Sequence, residues 1–215
     1  MDITMIAVFF CFAIPLACML FLLKREARLL ILFMIIGAFQ FLFSKAAATV
    51  LFELFSQQSE EYIITSYVPL IFELSKAVPL GYYIYVSEKD TKSVVYAAIA
   101  ESTGFAVLES LNMITAYSEG TLLTTLCLIM IYVLANIICT GFVGIGLVFI
   151  IRKMRYFVYG FLGLLTASAI IHGMLIMFIE AEMYTVGAAI CVLVYIPILW
   201  LYFRRNIKER IRLRA

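Results

Sequence analysis

The chain has 215 residues, of which 65% are hydrophobic and 14% charged, with a mean hydropathy of +1.08 and a formal net charge of +2. No soluble domain of this size hides so much apolar surface, because a globule needs a polar exterior. Lipid tolerates it, and the length leaves no room for a separate soluble domain.

A helix that crosses a bilayer needs about 20 apolar residues at about 1.5 Å rise each. Seven stretches qualify, which predicts an all-α, polytopic membrane bundle over residues 1–203 followed by a basic tail, residues 204–215. The first span, residues 3–23, follows Met1-Asp2 with no basic n-region, which suits a retained first helix with its amino end outside. The second, residues 29–54, carries Lys45 and Glu53. The third, residues 62–86, is interrupted by Pro69, Glu73, Lys76 and Pro79. Broken backbone at membrane depth is tolerated where other helices cover it or where it lines a wet cavity. The fourth, residues 94–115, carries Glu101 and Glu109, both of them acids. The fifth, residues 122–151, holds Asn136 and is long enough to tilt. The sixth, residues 156–179, holds His172, the only histidine, and the seventh covers residues 185–203.

Orientation follows from the cations. Lys24, Arg25 and Arg28 fall in the first loop, Lys89 and Lys92 in the third, and Arg152, Lys153 and Arg155 in the fifth. Arg204, Arg205, Lys208, Arg210, Arg212 and Arg214 fall in the tail, so only Lys45 and Lys76 of the 16 basic residues lie within spans. The alternate loops carry Glu60, Glu61, Glu119, Glu180 and Glu182. An odd number of spans puts every basic loop and the tail on one side, as the positive-inside rule demands. The amino terminus is then outside and the tail cytoplasmic, at the cell membrane. The tail reads as a topology anchor that touches anionic lipid, not as a nucleic-acid dock. Cys11, Cys18, Cys127, Cys139 and Cys191 all lie in apolar runs without CxxC spacing and read as small packing residues.

Ionisable groups inside spans are costly and face a bundle interior or cavity. Glu53 and Glu101 sit near span ends, where they can reach the interface. Glu73 lies near the middle of its span, while Glu109 and His172 lie roughly 9 Å from the outer ends of theirs at helical rise. With Asn136 and Lys45 they share one layer between midplane and outer surface. Glu73 and Lys76, at i and i+3, can pair on one helix face. Both lysines are expected to find acids. Gly141, Gly144, Gly146, Gly160 and Gly163 are expected at close helix approaches.

These positions occur in a recognisable order. The third span reads Phe72-Glu73-Leu74-Ser75-Lys76, the fourth Gly104-Phe105-Ala106-Val107-Leu108-Glu109-Ser110, the fifth runs from Asn136 to Gly146, and the sixth has Ile171-His172-Gly173. The order resembles the PrsW and YhfC intramembrane peptidases and, more distantly, the CAAX prenyl endopeptidases. It also resembles the anterior-pharynx-defective subunit of gamma-secretase, a scaffold. The family pattern is Glu-Glu-x-x-Lys/Arg, then Phe-x-x-x-Glu, then a His before small residues, then a second His. Phe72 stands where the first Glu is expected and Asn136 where the first His is expected.

The resemblance implies peptide-bond hydrolysis at or within the membrane by a protease-like site, glutamic or metal-dependent, whose motif set is incomplete. It implies Glu73 as the water-activating acid, Glu109 and His172 as partners that hold water or a metal, and Asn136 as an oxyanion donor. Lys76, Lys45 and Phe105 support the site. The residues require no cofactor, and a divalent metal, if one is held, falls to His172 and Glu109. The substrate would be a transmembrane helix or peptide. The rival reading is a non-catalytic relative, a scaffold that binds a partner's transmembrane helix. A third is a small transporter, which inverted repeats would support, and none is visible.

Overall fold

The computed structural model describes residues 27–87, 91–116, 121–152 and 157–212. The first predicted span, with Cys11 and Cys18, lies outside the described residues, as do Lys24, Arg25, Lys89, Lys153 and Arg155. The described residues form α1 (Ala27–Leu54), α2 (Val68–Ser87), α3 (Thr91–Ala116), α4 (Leu122–Arg152), α5 (Gly163–Glu180) and α6 (Tyr184–Arg212), with no strand among them.

Among the described residues, five stretches are long and apolar enough to cross a membrane: Leu29–Leu54, Ile63–Val86, Ser93–Thr115, Leu122–Val148 and Gly160–Glu180. The predicted seventh span falls within α6. Helix α6 carries an apolar stretch, Tyr184–Pro197, continues through the apolar residues 198–203, and runs on into the basic residues as far as Arg212. Residues 204–212, expected as a tail, therefore continue a helix.

The prolines of the third span do not break it. Pro79 lies inside α2, and Pro69 stands in its first turn. A proline removes the N–H that would bond the carbonyl four residues back, here Thr65. The chain meets that mismatch with a π turn, Ile63–Tyr67, directly before α2. A second π turn, Phe157–Leu162, leads into α5. The two join across the bundle at Gly173, where an added Cβ would stand 2.5 Å from the Thr65 carbonyl oxygen.

Burial separates central from peripheral helices. The apolar windows of α3 and α4 are 78% and 67% buried, that of α1 only 28%. Ile31, Ile35, Phe39, Leu42 and Phe43 of α1 are exposed, as residues facing lipid would be. In lipid, helices gain little by hiding apolar surface from tails that are equally apolar, so close packing and internal hydrogen bonds carry the association. Both are present. Helices α1 and α3 cross at a glycine pair: a Cβ on Gly37 would run into the Glu101 carbonyl, and one on Gly104 into the Met34 carbonyl. Among the glycines singled out by spacing, Gly144 faces the Ala98 side chain and Gly146 the Gly160 carbonyl, whereas Gly141 has open space. Between α4 and α5, Ser168 Oγ donates to the Cys139 carbonyl at 3.0 Å and Cys139 Sγ to the Ser168 carbonyl at 3.4 Å. Between α1 and α2, the hydroxyls of Ser44 and Ser75 meet at 2.6 Å.

Candidate functional site

Helices α2, α3, α4 and α5 each send one or two polar side chains to a single buried point. Glu73, Lys76 and Asn136 have no exposed surface, and Glu109 and His172 retain 1% each. Lys76 donates from Nζ to Glu73 Oε1 at 2.7 Å, the i,i+3 pair expected from spacing, and to Asn136 Oδ1 at 2.9 Å. Asn136 Nδ2 donates to Glu109 Oε2 at 2.5 Å and to the Tyr132 carbonyl at 2.8 Å. His172 closes the ring, with Nδ1 at 3.1 Å from Glu73 Oε1 and Nε2 at 3.6 Å from Glu109 Oε1.

The arrangement fixes where protons sit. A carboxylate oxygen that already takes the Lys76 proton can only accept from His172, so Nδ1 carries a hydrogen. Nε2 and Glu109 Oε1 face each other across 3.6 Å. Two bare acceptors would repel there, so one proton belongs to this contact, on the imidazole or on the carboxyl. In either place it leaves the set of Glu73, Lys76, Glu109 and His172 with no net charge. That neutrality matters, because an unbalanced charge at this burial is expensive.

Aromatic rings seal the cluster. The Lys76 ammonium lies 4.7 Å from the Phe105 ring centroid, a cation–π contact. Phe72, at the position where the resemblance expects the first Glu, packs edge-on against His172 at 6.0 Å and against Phe105 at 5.3 Å. Phe41 of α1 adds edge-to-face contacts to both phenylalanines.

Two atoms in the ring make no hydrogen bond, although Nε2 of His172 faces Glu109 across their longer contact. Glu73 Oε2 and His172 Nε2 are buried without a hydrogen-bond partner. Both amide hydrogens of Asn136, by contrast, are committed to Glu109 and Tyr132, so the expected oxyanion donor has none to offer in this arrangement. Among the described residues no three His, Cys, Asp or Glu side chains come together to hold a metal. The cation between Glu73 and Asn136 is the Lys76 ammonium itself.

Not every expected residue joins. Lys45 is exposed and donates to Asn112 Oδ1 of α3, an amide where an acid was expected. Glu53 is exposed. Glu101, expected to reach the interface, has no exposed surface and neither of its carboxyl oxygens has a hydrogen-bond partner. Its signal was the spacing: Glu101, Phe105 and Glu109 recur every four residues and share one face of α3. Compared with known proteins, the chain matches no family model, no curated protein and no solved structure.

Proposed function

We propose that the chain is a membrane-embedded peptidase of the PrsW/YhfC type, with seven spans, an outside amino terminus and a cytoplasmic basic end at the cell membrane. The observation that carries this reading is the Glu73–His172 pair. Its bonded atoms, Oε1 and Nδ1, leave Glu73 Oε2 without a hydrogen-bond partner in a sealed site, while Nε2 faces Glu109 Oε1 at 3.6 Å. A free carboxylate oxygen can deprotonate a water, and the neighbouring His172–Glu109 contact can hold a proton. Glu73 is the base in this reading, and Glu109 with His172 holds the proton that a leaving amine needs. The Lys76 ammonium takes the oxyanion role first given to Asn136, because it is the nearest positive charge to Glu73 Oε1. The substrate is a membrane peptide or transmembrane helix that enters between helices.

A second reading has its own support. The committed Asn136 amide and the Phe41, Phe72 and Phe105 rings over the cluster suit a bundle whose polar ring sets helix registry, in a scaffold that binds another protein's helix. One paired experiment separates the two. For a hydrolase, Glu109→Gln abolishes cleavage of membrane-peptide substrates by purified protein and barely moves the Tm in detergent, because Gln keeps shape but exchanges no proton. Cleavage that survives Glu109→Gln would remove Glu109 from the chemistry. Absence of cleavage by the wild type across a broad panel would favour the scaffold.

A further inference from the structure

Beyond the polar ring lie two more buried polar groups, Thr140 about one turn from Asn136 along α4 and Glu101 about two turns from Glu109 along α3. Helices α3 and α4 run antiparallel here, because Asn136 meets Glu109 while Gly144, further along α4, meets Ala98, earlier in α3. Thr140 of α4 and Glu101 of α3 both fall between these two contacts. Each is fully buried, and neither the Thr140 hydroxyl nor either Glu101 carboxyl oxygen has a hydrogen-bond partner. Unpartnered buried polar atoms are rare in folded proteins and signal something missing from the account, such as a water, an ion or a proton.

The charge count says which. The ring of Glu73, Lys76, Glu109 and His172 is neutral without Glu101, and its single permanent cation is already bonded to Glu73 and Asn136. Among the described residues, the charged groups acting on Glu101 are Lys76 and Glu73, both from α2. On α4 the titratable neighbour in sequence of Thr140 is Cys139, whose thiol is turned to the Ser168 carbonyl. Helix α1 meets α3 at this level through Met34 and Gly37, neither of which titrates. Among the described residues, Glu101 therefore has no cation of its own. A hard metal cation wants about six oxygen ligands, and the unpartnered oxygens of this layer are Glu101 Oε1, Glu101 Oε2 and Thr140 Oγ1.

We propose that the Glu101–Thr140 layer is a proton-binding site: Glu101 carries an exchangeable proton as a neutral carboxyl, next to but separate from the polar ring. Binding is a simple proton transfer from hydronium to one carboxylate oxygen, with no other bond made or broken. When the proton leaves, Glu101 becomes a second anion competing for the Lys76 ammonium, which lies over Phe105, one turn away on the same face of α3. A proton leaving this layer thus loosens Lys76 from Glu73. The proposal does not depend on peptide hydrolysis and stands for a scaffold as well.

Infrared spectroscopy on the purified full chain in lipid nanodiscs tests it. The expected result is a protonated-carboxyl C=O band that moves in deuterated water, disappears in Glu101→Gln and persists in Glu73→Gln. Should Glu101→Gln fail to fold, Glu101→Asp keeps the carboxyl on a shorter arm and is expected to shift the band. A carboxyl region unchanged in every folded Glu101 variant overturns the proposal. So does loss of only ionised-carboxylate bands in Glu101→Gln. A second arm compares Tm in sodium chloride and in choline chloride at equal ionic strength. No sodium-specific stabilisation is expected, and one that vanishes in Glu101→Gln would assign the layer to an inorganic cation instead.

Discussion

Lys45 and Lys76 make a controlled comparison. Each stands in an apolar helix, and each donates to the side-chain oxygen of an asparagine on another helix, Asn112 for Lys45 and Asn136 for Lys76. Lys45 is exposed and has an amide alone. Lys76 has no exposed surface and adds Glu73 and the Phe105 ring to its amide. The difference lies in burial. An ammonium that can extend along an apolar surface to the interface keeps its hydration and needs no counter-ion. One enclosed by four helices must be neutralised where it stands. The Glu73–Lys76 pair thus anchors the polar ring, and the Lys45–Asn112 contact is peripheral to it.

The largest effect is expected where the enclosed charge loses its partner. Lys76→Met leaves Glu73 buried with only His172, and removing one member of a buried pair costs about 3–5 kcal/mol. The loss should show as a lower midpoint in denaturant-induced unfolding in detergent. Replacing both, Glu73→Met with Lys76→Met, removes the stranded charge as well, so the double variant is expected to be more stable than Lys76→Met alone. A double variant less stable than the single would mean that the pair is not self-neutralising. Smallest is Lys45→Met, expected to leave the midpoint within error of the wild type. A loss at Lys45 equal to that at Lys76 would erase the distinction between the two sites.

Much of this was legible in the residues. The i,i+3 spacing of Glu73 and Lys76 predicts their pairing, and the depths of Glu109, Asn136 and His172 put them in one layer. Depth along a helix is readable from its ends, but the direction a side chain faces is not. The direction is set by which face packs against neighbours, and a helix apolar all round carries little periodicity to reveal it. Lys45 was at the right depth and on the wrong face. Distance from a span end points Glu101 to the interface, but its four-residue spacing to Phe105 and Glu109 puts it on the inner face. The π turn before α2 was also hidden, because it answers a tertiary demand: Pro69 withholds an N–H from Thr65, and Gly173 of a distant helix packs over the same carbonyl.

That the polar side chains act as one unit is the claim on which each functional reading depends. Lys76 and His172 come from different helices and are joined through the shared oxygen Glu73 Oε1. A double-mutant cycle on Lys76→Met and His172→Leu, read as unfolding free energy in detergent, measures that connection directly. A coupled network predicts non-additivity of about 1–3 kcal/mol, and losses that add to within about 0.5 kcal/mol would contradict it.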